Sequence, residues 1–127
     1  MASGLNGEVE AFLGEYISSI EELEILLLLY RKRPAAIAIE AIDAELKSSL
    51  SSIQGRLENL GSRNLIGVEG QNFFYQSSPD RDHVVAFLEQ DYLHRRLKVI
   101  EAIYSKPITP LKHFSDAFKI RKEKKNG

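Results

Sequence analysis

The chain has 127 residues, of which 43% are hydrophobic and 28% are charged, and it contains no Cys and no Trp. This composition is typical of one ordinary domain that buries a core without a disulfide or a structural metal. The absence of Cys excludes thiol catalysis and Cys-based zinc sites. The longest apolar run, Ile25 to Tyr30, falls far short of the roughly 20 residues that span a bilayer. Because the N-terminus also lacks a signal-peptide pattern, we expect a cytoplasmic protein that does not contact a membrane.

Acidic and basic residues are unevenly distributed, although the net charge is −1. Residues 1–60 carry 10 acidic and 5 basic side chains, whereas residues 61–127 carry 8 acidic and 12 basic ones. Five of these cations lie in the basic tail, residues 119–127. Such a tail either contacts phosphate groups or is a solvated terminus.

Helical spacing and capping signals predict two helices at the start of the chain. Apolar residues recur at helical spacing up to Ile17. Ser19 and Glu22 then form a capping box, which predicts a break followed by a second helix. That helix is apolar on nearly all sides from Ile25 to Tyr30, as expected of a buried central element, and it ends at the cations before Pro34.

Two short helices and a β-hairpin are predicted next. A third helix lies around residues 42–46, and a fourth, capped by Ser49, is indicated by apolar residues that repeat every three or four positions. These inward positions are Leu50, Ile53, Leu57 and Leu60. After Asn64 the period changes to two, and Gly70-Gln71-Asn72 supplies a turn, which predicts a hairpin over residues 65–76.

The remaining sequence predicts one long helix and one short one. Residues 82–104 have the pattern of a single amphipathic helix on the order of 35 Å long, which is longer than a small domain can cover. A last amphipathic helix is indicated by Leu111, Phe114 and Phe118.

A helix, a turn, a second helix and a two-stranded hairpin follow one another in the order of a winged helix-turn-helix. Residues 53–66, IQGRLENLGSRNLI, resemble the recognition helix and first wing strand of bacterial MarR-like regulators. Asn64 stands where that family usually has Gly, and Asn adopts the left-handed backbone more readily than most residues. Residues 42–46 resemble the first helix of the motif, although Ala38 replaces the usual Ser or Thr cap. The similarity covers residues 20–76.

The predicted fold class is therefore mainly α with a small β-hairpin wing, a winged helix-turn-helix with a long C-terminal helix. Residues 1–78 hold the N-terminal helices and the winged motif. Residues 79–118 hold the long helix and the short amphipathic helix, which serve packing or dimerisation, and residues 119–127 are the basic tail. Outside the motif, the chain resembles small bacterial winged-helix proteins of unestablished role.

The resemblance implies a DNA-binding transcriptional regulator, with the recognition helix over about residues 49–62 in the major groove and the wing over residues 65–76. Arg pairs with guanine, Gln and Asn pair with adenine, and Ser hydroxyls and helix amides hold phosphate. The candidate contacts to double-stranded DNA are Ser49, Ser51, Ser52, Gln54, Arg56, Asn59, Arg63, Gln71 and Asn72.

Few cations accompany this motif, and the alternative is a winged-helix adaptor that binds another protein without specific DNA binding. The nearby cations are Lys47, Arg56 and Arg63, and the wing tip has none. Neutralisation of phosphates supplies most of the non-specific affinity for DNA. Because the motif has few cations, the adaptor function remains an alternative.

Catalytic and metal-binding patterns are missing from the sequence. Asp91 and His94 share one helical face at ligand spacing, but a metal site needs at least three such groups. Neither a Gly-rich phosphate loop nor a nucleophile motif occurs. We therefore expect no enzyme activity, metal or cofactor, and the sequence assigns no small-molecule effector.

The long helix also bears on assembly. Winged-helix regulators commonly dimerise, since a two-fold protein matches a palindromic operator. The apolar surface of residues 82–118 therefore predicts a homodimer. The alternative is that these helices fold back over the acidic N-terminal helix of the same chain, with Arg95, Arg96 and Lys98 facing its Glu residues.

Overall fold

Residues 5–104 are described by a computed structural model, and they form a mainly helical fold with a small three-stranded antiparallel sheet. In chain order the elements are α1 (Gly7–Tyr16), α2 (Ile20–Lys32), β1 (Ile37–Ala38), α3 (Ile39–Leu46), α4 (Leu50–Ser62), β2 (Ile66–Glu69), β3 (Asn72–Tyr75), α5 (Pro79–His94) and α6 (Arg96–Tyr104). The predicted amphipathic helix at residues 111–118 and the basic tail at residues 119–127 lie outside the described residues.

Serine caps begin α2 and α4 at the predicted breaks. Ser19 accepts a hydrogen bond from the Glu22 amide at 3.1 Å, and Ser49 accepts one from the Ser52 amide at 3.2 Å. The Glu22 carboxylate accepts a hydrogen bond from the Ser18 amide at 2.9 Å, so this half of the capping box is displaced by one residue. The predicted short helix, break and second helix are confirmed.

Three residues with positive φ shape the turns that follow. Lys47, at φ 57°, ends α3 and turns the chain toward α4, and Gly70, at φ 64°, lies in the hairpin turn. Asn64 has φ 62°, which confirms the left-handed residue expected from the motif. Gly67 faces Phe74 across the hairpin so closely that a Cβ atom would overlap the aromatic ring.

The sheet has the order β1-β3-β2. The predicted hairpin is confirmed as β2 and β3, and β1 adds two residues to the free edge of β3, with Ile37 opposite Phe73. The centre of the core is α2, which is buried from Ile25 to Tyr30 and contacts α3, α4, α5 and β3. Within residues 5–104, no helix combines the length and the apolar content needed to cross a bilayer.

The prediction of a single helix over residues 82–104 is wrong. α5 ends at His94 and α6 begins at Arg96, because Arg95 leaves the helical region with φ −136° and ψ 48°. Both helices contact α1. Their buried residues are Val85, Leu88, Val99 and Ile103. The break allows both helices to bury apolar side chains within one core, and Arg96 reaches Glu24 of α2 at 3.3 Å.

The inward assignment of Leu50 is also wrong. Its side chain is 47% exposed, whereas Ile53, Leu57 and Leu60 are exposed by 2% or less. Leu50 is the first residue of α4, directly after the Ser49 cap. The helix therefore begins at the surface and enters the core at Ile53, at the end of its first turn.

We expect Leu57→Ala to lower the free energy of unfolding by about 2–5 kcal/mol, because it leaves a cavity between α4 and the core. Leu50→Ala makes the same chemical change on the same helix, and we expect a loss of less than about 1 kcal/mol. Urea denaturation of both variants measures the difference. Equal losses would show that Leu50 is a core residue after all.

Candidate nucleic-acid interface

The predicted recognition helix, α4, packs on α2 with one side and faces solvent with the opposite side. Its buried side chains are Ile53, Leu57 and Leu60. Its exposed residues include Ser51, Gln54, Gly55, Glu58 and Ser62. Because Gln54 donates a hydrogen bond to Glu58 at 3.2 Å, the solvent side of the helix is polar and carries a negative charge without a cation.

Glu22 of α2 joins the α1–α2 junction to α4. Its fully buried carboxylate accepts hydrogen bonds from the Ser18 amide at 2.9 Å, from Asn59 Nδ2 at 2.9 Å and from Arg63 Nη1 at 2.9 Å. Arg63 also donates to the Tyr16 carbonyl at 2.8 Å. Burial on its own raises the pKa of Glu22, but these hydrogen bonds outweigh it, so the pKa lies below its ordinary value.

Glu21, the preceding residue, receives a second set of donors from the start of α4. Arg56 Nε lies 3.0 Å from Glu21 Oε1, and the hydroxyls of Ser48 and Ser52 donate short hydrogen bonds to the two carboxylate oxygens. Burial on its own raises the pKa of Glu21, but the hydrogen bonds from Ser48, Ser52 and Arg56 have the larger combined effect, so the pKa lies below its ordinary value. In contrast to Glu22, this carboxylate lies at the surface, with 21% of its side chain exposed.

The structure divides the nine candidate DNA contacts into three groups. Those that are exposed and make no hydrogen bond to α2 are Ser49, Ser51, Gln54 and Gln71. Those whose side chains hydrogen-bond the carboxylates of α2 are Ser52, Arg56, Asn59 and Arg63. Asn72 belongs to β3, where it pairs with Ala38 and Glu69 and is half-buried, so the wing tip consists of Gly70 and Gln71.

Three participants in this cluster are absent from the sequence-based set: Ser48, Glu21 and Glu22. Two sequence signals point to them. One is the four-residue spacing of Ser48, Ser52 and Arg56, and the other is the run of acidic residues in α2 without a cation before Arg31. Neither signal shows that the two sets of residues meet, because the contacts join positions about 30 to 40 residues apart.

The formal charge of the motif is negative. Residues 37–76 contain three cations and five acidic residues, which gives −2. The cations are Lys47, Arg56 and Arg63, and the acidic residues are Glu40, Asp43, Glu45, Glu58 and Glu69. Two of the three cations are paired with Glu21 and Glu22. Lys47, at the turn before α4, is exposed.

A second polar and apolar surface lies on the other side of α2. A groove of about 690 Å³ runs between α2, α3 and α5, and its rim carries the ion pair between Arg31 and Glu89 at 3.1 Å. At the end of this groove the α5–α6 corner exposes Leu93 by 69% and Leu97 by 74%. Across the described range 5–104, His, Asp and Glu side chains form no group of three that could hold a metal ion.

Comparison of the chain with protein-family models, with curated proteins and with solved structures gives no match. The chemistry of this interface is therefore assigned from its own residues. Some of those residues are exposed hydrogen-bonding groups on α4. Others are donors that already hydrogen-bond the carboxylates of Glu21 and Glu22 in α2.

The lowered pKa of Glu22 predicts a loss of stability in acid. Unfolded Glu22 binds its proton near the ordinary value of 4.5, whereas folded Glu22 binds it only at lower pH. Its contribution is therefore complete above that value and is lost as the pH falls through it toward the folded pKa. We expect Glu22→Gln to be about 2 kcal/mol less stable at neutral pH, because buried donors lose their charged acceptor.

Chemical denaturation from about pH 7 to about pH 3 checks this prediction, since Glu22→Gln should also lose less stability than the wild-type chain on acidification. Glu15→Gln, an exposed change on α1, is the control and should keep the wild-type acid dependence. If Glu22→Gln were as acid-sensitive as the wild type, other carboxylates would control the transition.

Proposed function

We propose that the chain is a cytoplasmic, winged-helix DNA-binding transcriptional regulator whose recognition helix is α4. The observation that carries the proposal is the element order α2-β1-α3-α4-β2-β3 together with the sheet order β1-β3-β2. In this arrangement α3, the left-handed turn at Lys47 and α4 make a helix-turn-helix, and the β2–β3 hairpin is a wing beside it.

The first two turns of α4 supply the contacts. Ser51 and the free amides at the start of the helix are positioned to hold a backbone phosphate. Gln54 is exposed on the second turn and has the donor and acceptor that pair with the N6 and N7 atoms of adenine. Gln71 follows Gly70 at the tip of the hairpin. In the proposal, its side chain contacts the sugar-phosphate backbone of the DNA next to the major groove. Base reading by Gln54 is therefore the most specific contact in the proposal.

Phosphate neutralisation has to come largely from outside the motif, whose formal charge is −2. Within the proposal, Lys47 provides one contact beside α4. The basic tail provides the others, because its five cations exceed those of the whole motif. Phosphate contacts of this kind hold a protein on DNA without reading its sequence.

The proposal includes a homodimer that presents two copies of α4 to successive major grooves. The surface that supports it is the α5–α6 corner with the exposed Leu93 and Leu97. Two Leu side chains exposed next to each other are costly in water, and an isologous contact removes both pairs from solvent at once. The proposed interface begins at this corner and continues toward residue 118.

A second candidate function is that of a protein-binding adaptor without specific DNA binding. Two observations favour it. First, Glu21 and Glu22 of α2 form ion pairs with Arg56 and Arg63. Second, among the described residues, the most exposed large apolar side chains lie on the α5–α6 corner and not on α4. The corner is flanked by Arg95 and Lys98, so the adaptor would bind an apolar segment with acidic neighbours.

Selection from a pool of random duplexes, followed by sequencing, tests the proposed function. We expect the full chain to enrich a motif, and Gln54→Ala to lose the preference at one base pair at a cost of about 1–3 kcal/mol. The matched control is Gln90→Ala, an exposed Gln of α5, which should leave the motif unchanged. An unenriched pool at low salt would contradict DNA reading and favour the adaptor.

Light scattering or sedimentation at micromolar concentration tests the homodimer. We expect about twice the chain mass of 14.4 kDa and a shift to monomer in Leu97→Glu, because a buried unpaired carboxylate opposes association. Val68→Glu is the matched control, since Val68 is 63% exposed but belongs to β2 and not to the α5–α6 corner. A monomer at every concentration would remove the dimer from the proposal.

A further inference from the structure

Three donors from the start of α4 converge on one carboxylate of α2. Ser52 and Arg56 lie four residues apart on one side of α4, and Ser48 lies in the turn just before the Ser49 cap. Their hydroxyls and guanidinium all bind Glu21, with Arg56 Nε at 3.0 Å. Glu21 therefore accepts three side-chain donors from α4 and the turn before it.

The same donor set suits a backbone phosphate. Guanidinium groups and hydroxyls are the side chains that hold phosphate oxygens in DNA complexes, and the start of a helix adds unpaired amides and a positive dipole end. Ser48 lies in the turn before α4, and Ser52 and Arg56 lie on its first two turns, next to the exposed Ser51 and Gln54. A DNA strand contacting Gln54 would place its phosphates close to them.

Glu21 and Glu22 differ in how readily they leave their partners. Glu22 is fully buried, and its partners Asn59 and Arg63 connect α4 to the core. Glu21 is partly exposed, and so is Arg56, whose side chain is 36% exposed. Water and salt screen a partly exposed pair more than a buried one, so rotation of the Glu21 side chain into solvent costs less than release of the buried Glu22. Glu22 is thus a structural carboxylate, and Glu21 is a displaceable one.

We propose that Glu21 occupies the site of a DNA backbone phosphate, so that it competes with DNA for Ser48, Ser52 and Arg56. The proposal rests on the proposed function, because it assigns α4 to DNA. Glu21 is ionised at neutral pH, so the competitor is always present. It lowers the affinity of the motif for any duplex, and only a site that also engages the base-reading residues displaces it fully.

Glu21→Gln and Glu24→Gln are the matched pair that tests this site. Both remove one negative charge from α2, but Glu24 contacts Arg96 and Tyr92 on the α5–α6 side instead of α4. We expect Glu21→Gln to bind a non-specific duplex about 5–10-fold more tightly at low salt. Its salt slope should steepen by about one, since the released Arg56 neutralises one more phosphate. Glu24→Gln should change the affinity by less than about two-fold.

The double variant Glu21→Gln with Arg56→Ala identifies the released group. It should lose the gain of the single variant, and Glu21→Ala should give the same gain as Glu21→Gln. Thermal melting of each variant confirms that it is folded at the temperature of the assay.

Three results would overturn the inference. Equal gains in Glu21→Gln and Glu24→Gln would reveal a general charge effect, and an unchanged affinity in Glu21→Gln would show that Glu21 does not compete. In both cases a motif enriched by the wild-type chain would leave the proposed function intact. If no variant bound any duplex at low salt, the proposed function itself would fail, together with the phosphate site.

Discussion

The buried carboxylate of Glu22 is the contact on which the arrangement of the helices depends. It lies in the first turn of α2, directly after the break between α1 and α2, and its carboxylate oxygens accept hydrogen bonds from the Ser18 amide and from Asn59 and Arg63 of the α4 region. A buried charge of this kind is tolerable only when its hydrogen-bonding capacity is filled. The position of α4 relative to α1 and α2 is therefore set by polar contacts as well as by apolar packing.

Placing two acids at the start of α2 has a local cause and a longer-range effect. The first turn of a helix favours negative charge, because its unpaired amides form the positive end of the dipole. That preference explains Glu21 and Glu22 as helix-start residues without reference to α4. Once α4 packs alongside, however, the same charges meet the guanidinium groups of Arg56 and Arg63. A feature that stabilises one helix thereby neutralises the cations of another.

Local signals predicted most of the fold, and long-range contacts account for what they missed. The caps at Ser19 and Ser49, the hairpin and the left-handed Asn64 all depend on residues within a few positions of each other. The break at Arg95 has no such signal, since neither Gly nor Pro is near. Moreover, Val85 and Val99 are 14 residues apart, close to four turns at 3.6 residues per turn, so the apolar pattern keeps its phase across the break. The break becomes evident only in the folded structure, where α5 and α6 both pack on α1.

The candidate site was predicted in part for the same reason. Periodicity identified Ser51 and Gln54 as outward residues of α4, because burial of Ile53 and Leu57 decides their direction. It did not identify Ser52, Arg56 and Asn59 as partners of α2, because helical phase alone does not specify which neighbour covers the flank of a helix. Ala38 illustrates the complementary case, since α3 begins without a side-chain cap and is held by its neighbours α2, α4 and β1.

Topology and electrostatics carry separate information about what such a fold does. The order of helices and strands places α4 and the hairpin side by side, but many unrelated functions use one scaffold. Affinity for DNA depends on the number of phosphates that cations neutralise, and here two of the three cations of residues 37–76 are already bound by carboxylates. Under the proposed function, a protein with this charge distribution attracts DNA of arbitrary sequence weakly and depends on the contacts that only a matching sequence offers. In that proposal the acidic start of α2 favours selectivity over affinity, and it acts through Glu21, because Glu21 is partly exposed whereas the neighbouring Glu22 is fully buried.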